Sequence, residues 1–192
     1  EGDRALLAPV CGHRPLLLLP LAPAVPADSD RLPTIPSGRP TLLFVGAMDR
    51  AHNLAGVTWF LDHVWPRVGS CFVTGFVDDL APWYRAATVF VSPLLVAGGL
   101  LQKVVDAMAF GVPVVATSVC NHGLGATPGE HLLTADTAEA FAAAVLSLLC
   151  DPETRARLGN AGQYFIQTHY DTAAAIAQWD AALAELQTTK VC

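Results

Sequence analysis

One stretch gathers most of the residues able to do chemistry: Leu94 to Thr117, LLVAGGLLQKVVDAMAFGVPVVAT. Its spacing predicts that Gly98 and Gly99 open a helix that follows a strand-end loop, runs to Phe110 and stops at Gly111. Without Cβ atoms, the backbone of these two glycines can approach a ligand closely. The first amides of such a helix, near Gly99, Leu100 and Leu101, lack intrahelical partners. With the helix dipole they make an anion site suited to a diphosphate. Lys103, one of only two lysines with Lys190, lies in the next turn and adds a positive charge. Asp106 is three residues further, shares a helix face with Lys103, and can accept hydrogen bonds from ribose hydroxyls. The competing readings are a plain glycine helix start and a solvated surface ion pair. For Lys103 and Asp106 taken by themselves, the competing reading is favoured.

Other candidate residues carry less. Asp78-Asp79 ahead of a helix reads as a cap rather than a metal site. His52, His63, His122, His131 and His169 lack metal-ligand spacing such as HxxxH and read as surface or loop residues. His122-Gly123 lies on a strand-end loop and could touch a ligand bound there, yet a loop histidine without a role is the favoured reading. Trp59, Trp65, Trp83 and Trp179 fall on helical faces and are expected in the core or at a domain contact. The five cysteines are scattered, with no CxxC pair, and read as buried thiols in a reducing cytoplasm.

These residues need a frame to position them. Residues 1–40 read as the remnant of a preceding domain plus a linker, because 22–40 is rich in Pro, Ala, Ser and Asp. A compact α/β pattern follows from 41 to 170, and 171–192 read as a C-terminal helix and tail. Strands are expected at Thr41–Val45, Cys71–Thr74, Thr88–Ser92, Val112–Thr117 and His131–Thr134. Helices are expected from an Asn53 cap to about Val68, through Trp83 and Tyr84 after an Asp78 or Asp79 cap, and over 137–149, 152–168 and 171–187. Strands alternating with helices imply a Rossmann-like parallel sheet with helices on both faces. The uniformly apolar strands after Thr41 and before Pro93 should lie near its centre. Ligands of such sheets bind at the carboxyl ends of the strands, here Gly46 to Asp49, Gly75 to Asp78, Pro93 to Gly99 and Thr117 to Gly125.

Composition limits the function classes. An apolar content of 53% and a mean hydropathy of +0.42 suit strands buried on both faces, and no apolar run reaches the roughly 20 residues of a spanning helix. The expectation is a cytoplasmic protein, with peripheral membrane association of the full protein left to parts outside this chain. A net charge of −6 argues against a nucleic-acid partner, which calls for a basic face. The chain starts at Glu1 with no signal peptide, which reads as an internal cut after a missing amino-terminal domain.

The wider pattern resembles a known family. GFVDDLAPWYRAATVFVSPL, GGLLQKVVDAMAFGVPVVATS and GEHLLTADTAEAFAAAVLSLLCDPETRARLG, in this order, resemble the carboxyl-terminal, donor-binding domain of glycosyltransferase family 4 (group 1), retaining enzymes of GT-B fold. FVGAMDRAHNLAGVTWFLDHVWPRV resembles the opening of that domain in a bacterial branch. The likeness runs from about Thr41 to the end, and Asp106 to Thr117 is its most specific part. It implies one GT-B half, transfer from a nucleotide-diphosphate sugar with retention, and no catalytic metal or other cofactor. Asp106 matches the family's second acid, which holds the ribose. Gly98 stands where the first acid would be, and Gly98, Gly99 and Lys103 match a branch that shares this departure. Val77 matches the place where the backbone meets the base. The basic pair after the first strand is replaced by Ala47 and Asn53, leaving Arg50 as the nearby substitute. The helix ending near Val68 runs almost directly into Gly69 and Cys71, so one strand–helix unit is expected to be absent.

The expected binding set is therefore Gly46, Arg50, Val77, Gly98, Gly99, Leu100, Leu101, Lys103 and Asp106, with no catalytic residue and no metal ligand assigned. The first functional expectation is the donor-binding half of a retaining glycosyltransferase, in cell-surface polysaccharide synthesis, inactive by itself. The alternative is a non-catalytic or decayed nucleotide-sugar-binding module. An unrelated doubly wound fold, such as a sugar-nucleotide epimerase, is a distant third.

Overall fold

The computed structural model describes residues 40–67 and 77–170. Among these residues, four strands form one parallel sheet in the order β1 (Leu42–Leu43), β2 (Val89–Ser92), β3 (Val114–Ala116) and β4 (Leu133–Thr134). Leu43 pairs with Phe90, Val91 with Val115, and Val115 with Leu133. The helices are α1 (Ala51–Trp59), α2 (Ala81–Ala86), α3 (Gln102–Ala109), α4 (Ser118–His122), α5 (Ala138–Cys150) and α6 (Pro152–His169). The fold is the α/β, Rossmann-like arrangement expected. Every residue of β2 and β3 is buried, as a sheet covered on both faces requires.

Aromatic contacts show how the cover is built. Phe141 of α5 meets Phe60 and Trp59 edge-on, at 5.8 and 5.9 Å between ring centroids. Phe90 of β2 meets Tyr84 of α2, whose ring stacks on Phe110 at 5.3 Å. The caps of α5 and α6 follow their local sequence: Thr137 accepts from the amide of Ala140, and Asp151 from those of Glu153 and Thr154, with Pro152 in the first turn.

Several elements depart from expectation. α1 begins at Ala51 with Arg50 as its cap, and Asn53 is a buried interior residue. Asn53 cannot serve as the cap because its amide is engaged elsewhere, as set out below. α1 continues as a π-helical turn, Phe60–Val64, and a 3-10 turn, Trp65–Arg67. Gly98 and Gly99 do not open α3. Gly99 has φ +67°, Leu101 is extended, and the helix starts at Gln102. α4 falls where a loop was expected. Its start is held by Asp136, eighteen residues away, whose carboxylate accepts from the amide and hydroxyl of Ser118. Cys120 is buried as expected, but Cys150 is exposed. β2 has described strands on both sides. β1 has one, and the strand expected at 71–74 lies outside the described residues, as do the junction after Val68, where a strand–helix unit is expected to be absent, and the helix expected over 171–187.

Candidate functional site

In a parallel sheet all strands end on the same edge, so the segments after β1, β2 and β3 converge there. Three contacts join them. Gly56 of α1 packs against the segment after β2 so closely that a Cβ would lie 2.8 Å from the Pro93 carbonyl oxygen. The hydroxyl of Thr117, after β3, donates to the carbonyl of Leu94. Gly123, at the end of α4, touches the Gly99 carbonyl, leaving no room for a Cβ there. The glycine loop is thus pinned from one side, while Gly98 and Gly99 themselves are exposed.

Lys103 lies at the centre of this edge, and it is buried. Its ammonium donates to Oδ1 of Asn53 at 2.7 Å and sits over the ring of Phe44, 4.6 Å from the centroid. Asn53 in turn donates through Nδ2 to the carbonyl of Ala47 at 2.9 Å. Gly46 is part of the same packing, because a Cβ there would lie 2.9 Å from Asn53 Cγ and 3.0 Å from Phe44. No carboxylate among the described residues forms an ion pair with Lys103. Burial pulls its pKa down to about 8, against a smaller upward pull from Cys120. A buried ammonium with one neutral acceptor lacks the counter-charge that buried ions ordinarily have.

Asp106 is half-buried one turn along α3. Its carboxylate accepts from Nε2 of Gln102 at 2.7 Å and forms no ion pair with Lys103, although both lie on α3. Burial raises its pKa, and the Gln102 hydrogen bond opposes that rise. The hydroxyl of Tyr84 reaches the Lys103 carbonyl, tying α2 to α3. The amides preceding the first intrahelical bond of α3 are those of Gln102 and Lys103, since Val104 and Val105 donate to Leu101. The first-turn amides therefore lie later in the chain than the Gly99 to Leu101 amides expected.

The expected set is thus brought together in part. Gly46, Lys103 and Asp106 belong to one packed cluster or its helix. Gly98, Gly99 and Leu100 form an exposed rim, and Leu101 is half-buried. The Arg50 guanidinium is exposed and reaches Asp49, at 3.9 Å. Val77 is half-buried against the core. Asn53 and Phe44 were absent from the expected set. A hint lay in Asn53 occupying a place where the resembled family carries a basic group, but only the structure shows a lysine arriving there from α3. Among the described residues no group of three His, Cys, Asp or Glu side chains is placed to hold a metal, and no helix is long and apolar enough to cross a membrane.

Residues 69–151, from before α2 through the cap of α6, match the family described as Glycosyl transferases group 1. This stretch, less than half of the chain, is similar to the group 1 glycosyl transferases. A protein in the cps region of Klebsiella pneumoniae is 26% identical over 165 residues, covering 68% of this chain and 42% of the relative. Since 68% of 192 residues is about 131, that alignment leaves about 34 residues of the relative without a counterpart, on the scale of one strand–helix unit. Sucrose-phosphate synthase from Thermosynechococcus elongatus matches in structure with TM-score 0.67 and 22% identity, over 81% of this chain and 47% of the synthase. Anabaena HepE in complex with UDP matches with TM-score 0.61 and 14% identity, over 95% of this chain and 52% of that protein. At these identities the two structures speak for the fold, that of a GT-B glycosyltransferase half. This chain spans about half the length of each of these proteins or less.

Proposed function

We propose that this chain is the donor-binding half of a retaining glycosyltransferase that takes its sugar from a nucleoside diphosphate. The carrying observation is the Lys103 ammonium, buried at the carboxyl edge of the sheet with no carboxylate partner among the described residues. A diphosphate supplies the missing negative charge, and the exposed Gly98–Gly99 backbone beside it leaves room for a bulky anion. Asp106, half-buried one turn further, is within the same helix to receive the ribose, and Val77 and Arg50 complete the donor side. UDP bound to the structurally similar Anabaena protein supports a uridine donor as the first to try.

In this reading the protein residues neutralise the diphosphate without a metal ion. The acceptor and the catalytic groups belong to an amino-terminal domain of the whole enzyme, with a role in bacterial cell-surface polysaccharide synthesis at the cytoplasmic face of a membrane. The unaligned residues of the Klebsiella protein are assigned to one strand–helix unit at the junction after Val68. The chain alone then binds donor without turnover, because transfer needs donor and acceptor held together in a closed cleft.

The test is titration of the full chain with UDP. A charge-assisted phosphate contact contributes roughly 1.5–3 kcal/mol, so Lys103→Ala should weaken binding about ten- to a hundredfold. Asp106→Asn should lose less, since the amide oxygen still accepts from ribose. Equal affinity of wild type and Lys103→Ala overturns the reading.

A further inference from the structure

We infer that Asn53 is a positioning residue, a neutral clamp that aims the Lys103 ammonium without neutralising it. The inference rests on the proposed donor site. Its geometry is a relay of two hydrogen bonds across three elements: Ala47 carbonyl, Asn53 amide, Lys103 ammonium. The direction of the relay is set by chemistry. A carbonyl only accepts, so the NH2 end of Asn53 must face Ala47, which leaves Oδ1 for Lys103. Gly46 vacates the space that the amide fills, and the Phe44 ring closes the other side of the ammonium. An aspartate at this position would also reach Lys103, but it would pair with the charge that an incoming phosphate needs. A leucine would leave the ammonium with no acceptor. Asparagine is the side chain of this shape that both orients and leaves the charge available.

Few titratable groups face this ammonium. From α4 the Cys120 thiol acts on it, and from α2 the Tyr84 hydroxyl meets the Lys103 carbonyl. Asp106, on α3 itself, is bonded to Gln102, and Asn53 and Phe44 carry no charge. The protonation of Lys103 is therefore a direct readout of what Asn53 does.

The chain has only two lysines, Lys103 and Lys190, so side-chain carbon-13 labelling of lysine gives two signals, and Lys103→Arg identifies the one to follow. In the unliganded chain the Lys103 signal should titrate near pH 8. Asn53→Leu should lower that midpoint by about one unit or more, the loss of one hydrogen bond to a charged group. Asn53→Asp, of nearly identical shape, should raise the midpoint while weakening UDP binding at pH 7. A structural role for Asn53 predicts instead that wild type and both variants share one midpoint, and that result overturns the inference. If Asn53→Leu does not fold, the shape-preserving Asn53→Asp decides alone by the direction of its shift. Should UDP fail to bind the wild type, the donor reading falls, while the lysine titration still decides whether Asn53 positions the ammonium.

Discussion

In the loop from Leu95 to Leu101, Leu95, Val96 and Leu100 are exposed, and a Cβ added at Gly98 would meet nothing within 4 Å. In α3, which starts at the next residue, Lys103, Val104, Val105, Ala107 and Met108 are all buried. The loop has one tight point, at Gly99 against Gly123, whereas five of the eight residues of α3 are buried. The contrast matters for charge. In the loop an ionic contact works against water and salt, and it contributes little. On α3 a charge is held out of water, so whatever meets it is felt strongly. In the proposed donor site the two regions would divide the work: open backbone where the diphosphate enters, a desolvated cation where it is held.

The largest expected effect tests the buried side. The native pKa of Lys103, about 8, lies below its ordinary 10.5, so the unfolded chain keeps its proton to higher pH than the native one. Stability should then be lowest below pH 8 and rise as pH climbs, by roughly 2–3 kcal/mol up to about pH 10. Beyond that, ionisation of Tyr84 in the unfolded chain works in the opposite direction, because burial holds its native pKa well above the usual tyrosine range. Urea unfolding at pH 7, 8.5 and 10 should show the rise in wild type and a flat profile in Lys103→Met. A rise that persists in the variant breaks the contrast, because the helix charge would then be solvated like the loop.

The pinned point of the loop comes next. Gly123→Ala drives a methyl group into the Gly99 carbonyl, so backbone must shift, at about 1–3 kcal/mol for overpacking. Thermal unfolding reads the loss. An unchanged melting temperature means that the loop yields freely and is not pinned to α4.

The smallest effect is expected at Gly98. With open space around it, Gly98→Ala should change stability by less than about 0.5 kcal/mol. Its UDP affinity should nevertheless fall, since the added methyl stands where a ligand would approach. Affinity equal to wild type removes Gly98 from the site and leaves the buried lysine to hold the anion.

Much of the frame was legible because it is written in short-range pattern. The apolar runs expected as strands at Thr88–Ser92 and Val112–Thr117 contain β2 and β3, which are fully buried, and parallel pairing followed from the helices between them. The Asp151-Pro152 start of α6 is local too, and it stands as expected. The start of α3 was misread because glycine permits both a helix entry and a left-handed turn, and Gly99 takes the second. Asn53 was misread as a cap for a similar reason. Asparagine caps helices when its side chain is free to fold back, and here it is not.

By itself, then, the sequence determined the parallel α/β frame, and it singled out the strand ends and Lys103 as the place to look for a ligand. Tertiary structure alone decided that this lysine is buried, that it meets Asn53, fifty residues away, and that it pairs with no carboxylate among the described residues. The physical reason is reach. Helical periodicity reports which face of α3 a residue occupies, but the burial and partner of a long side chain depend on how closely α1 and the strand-end loops dock against that face. That closeness is set by contacts such as Gly46 against Asn53 and Gly56 against Pro93, which join residues of different elements and leave no periodic trace in the chain.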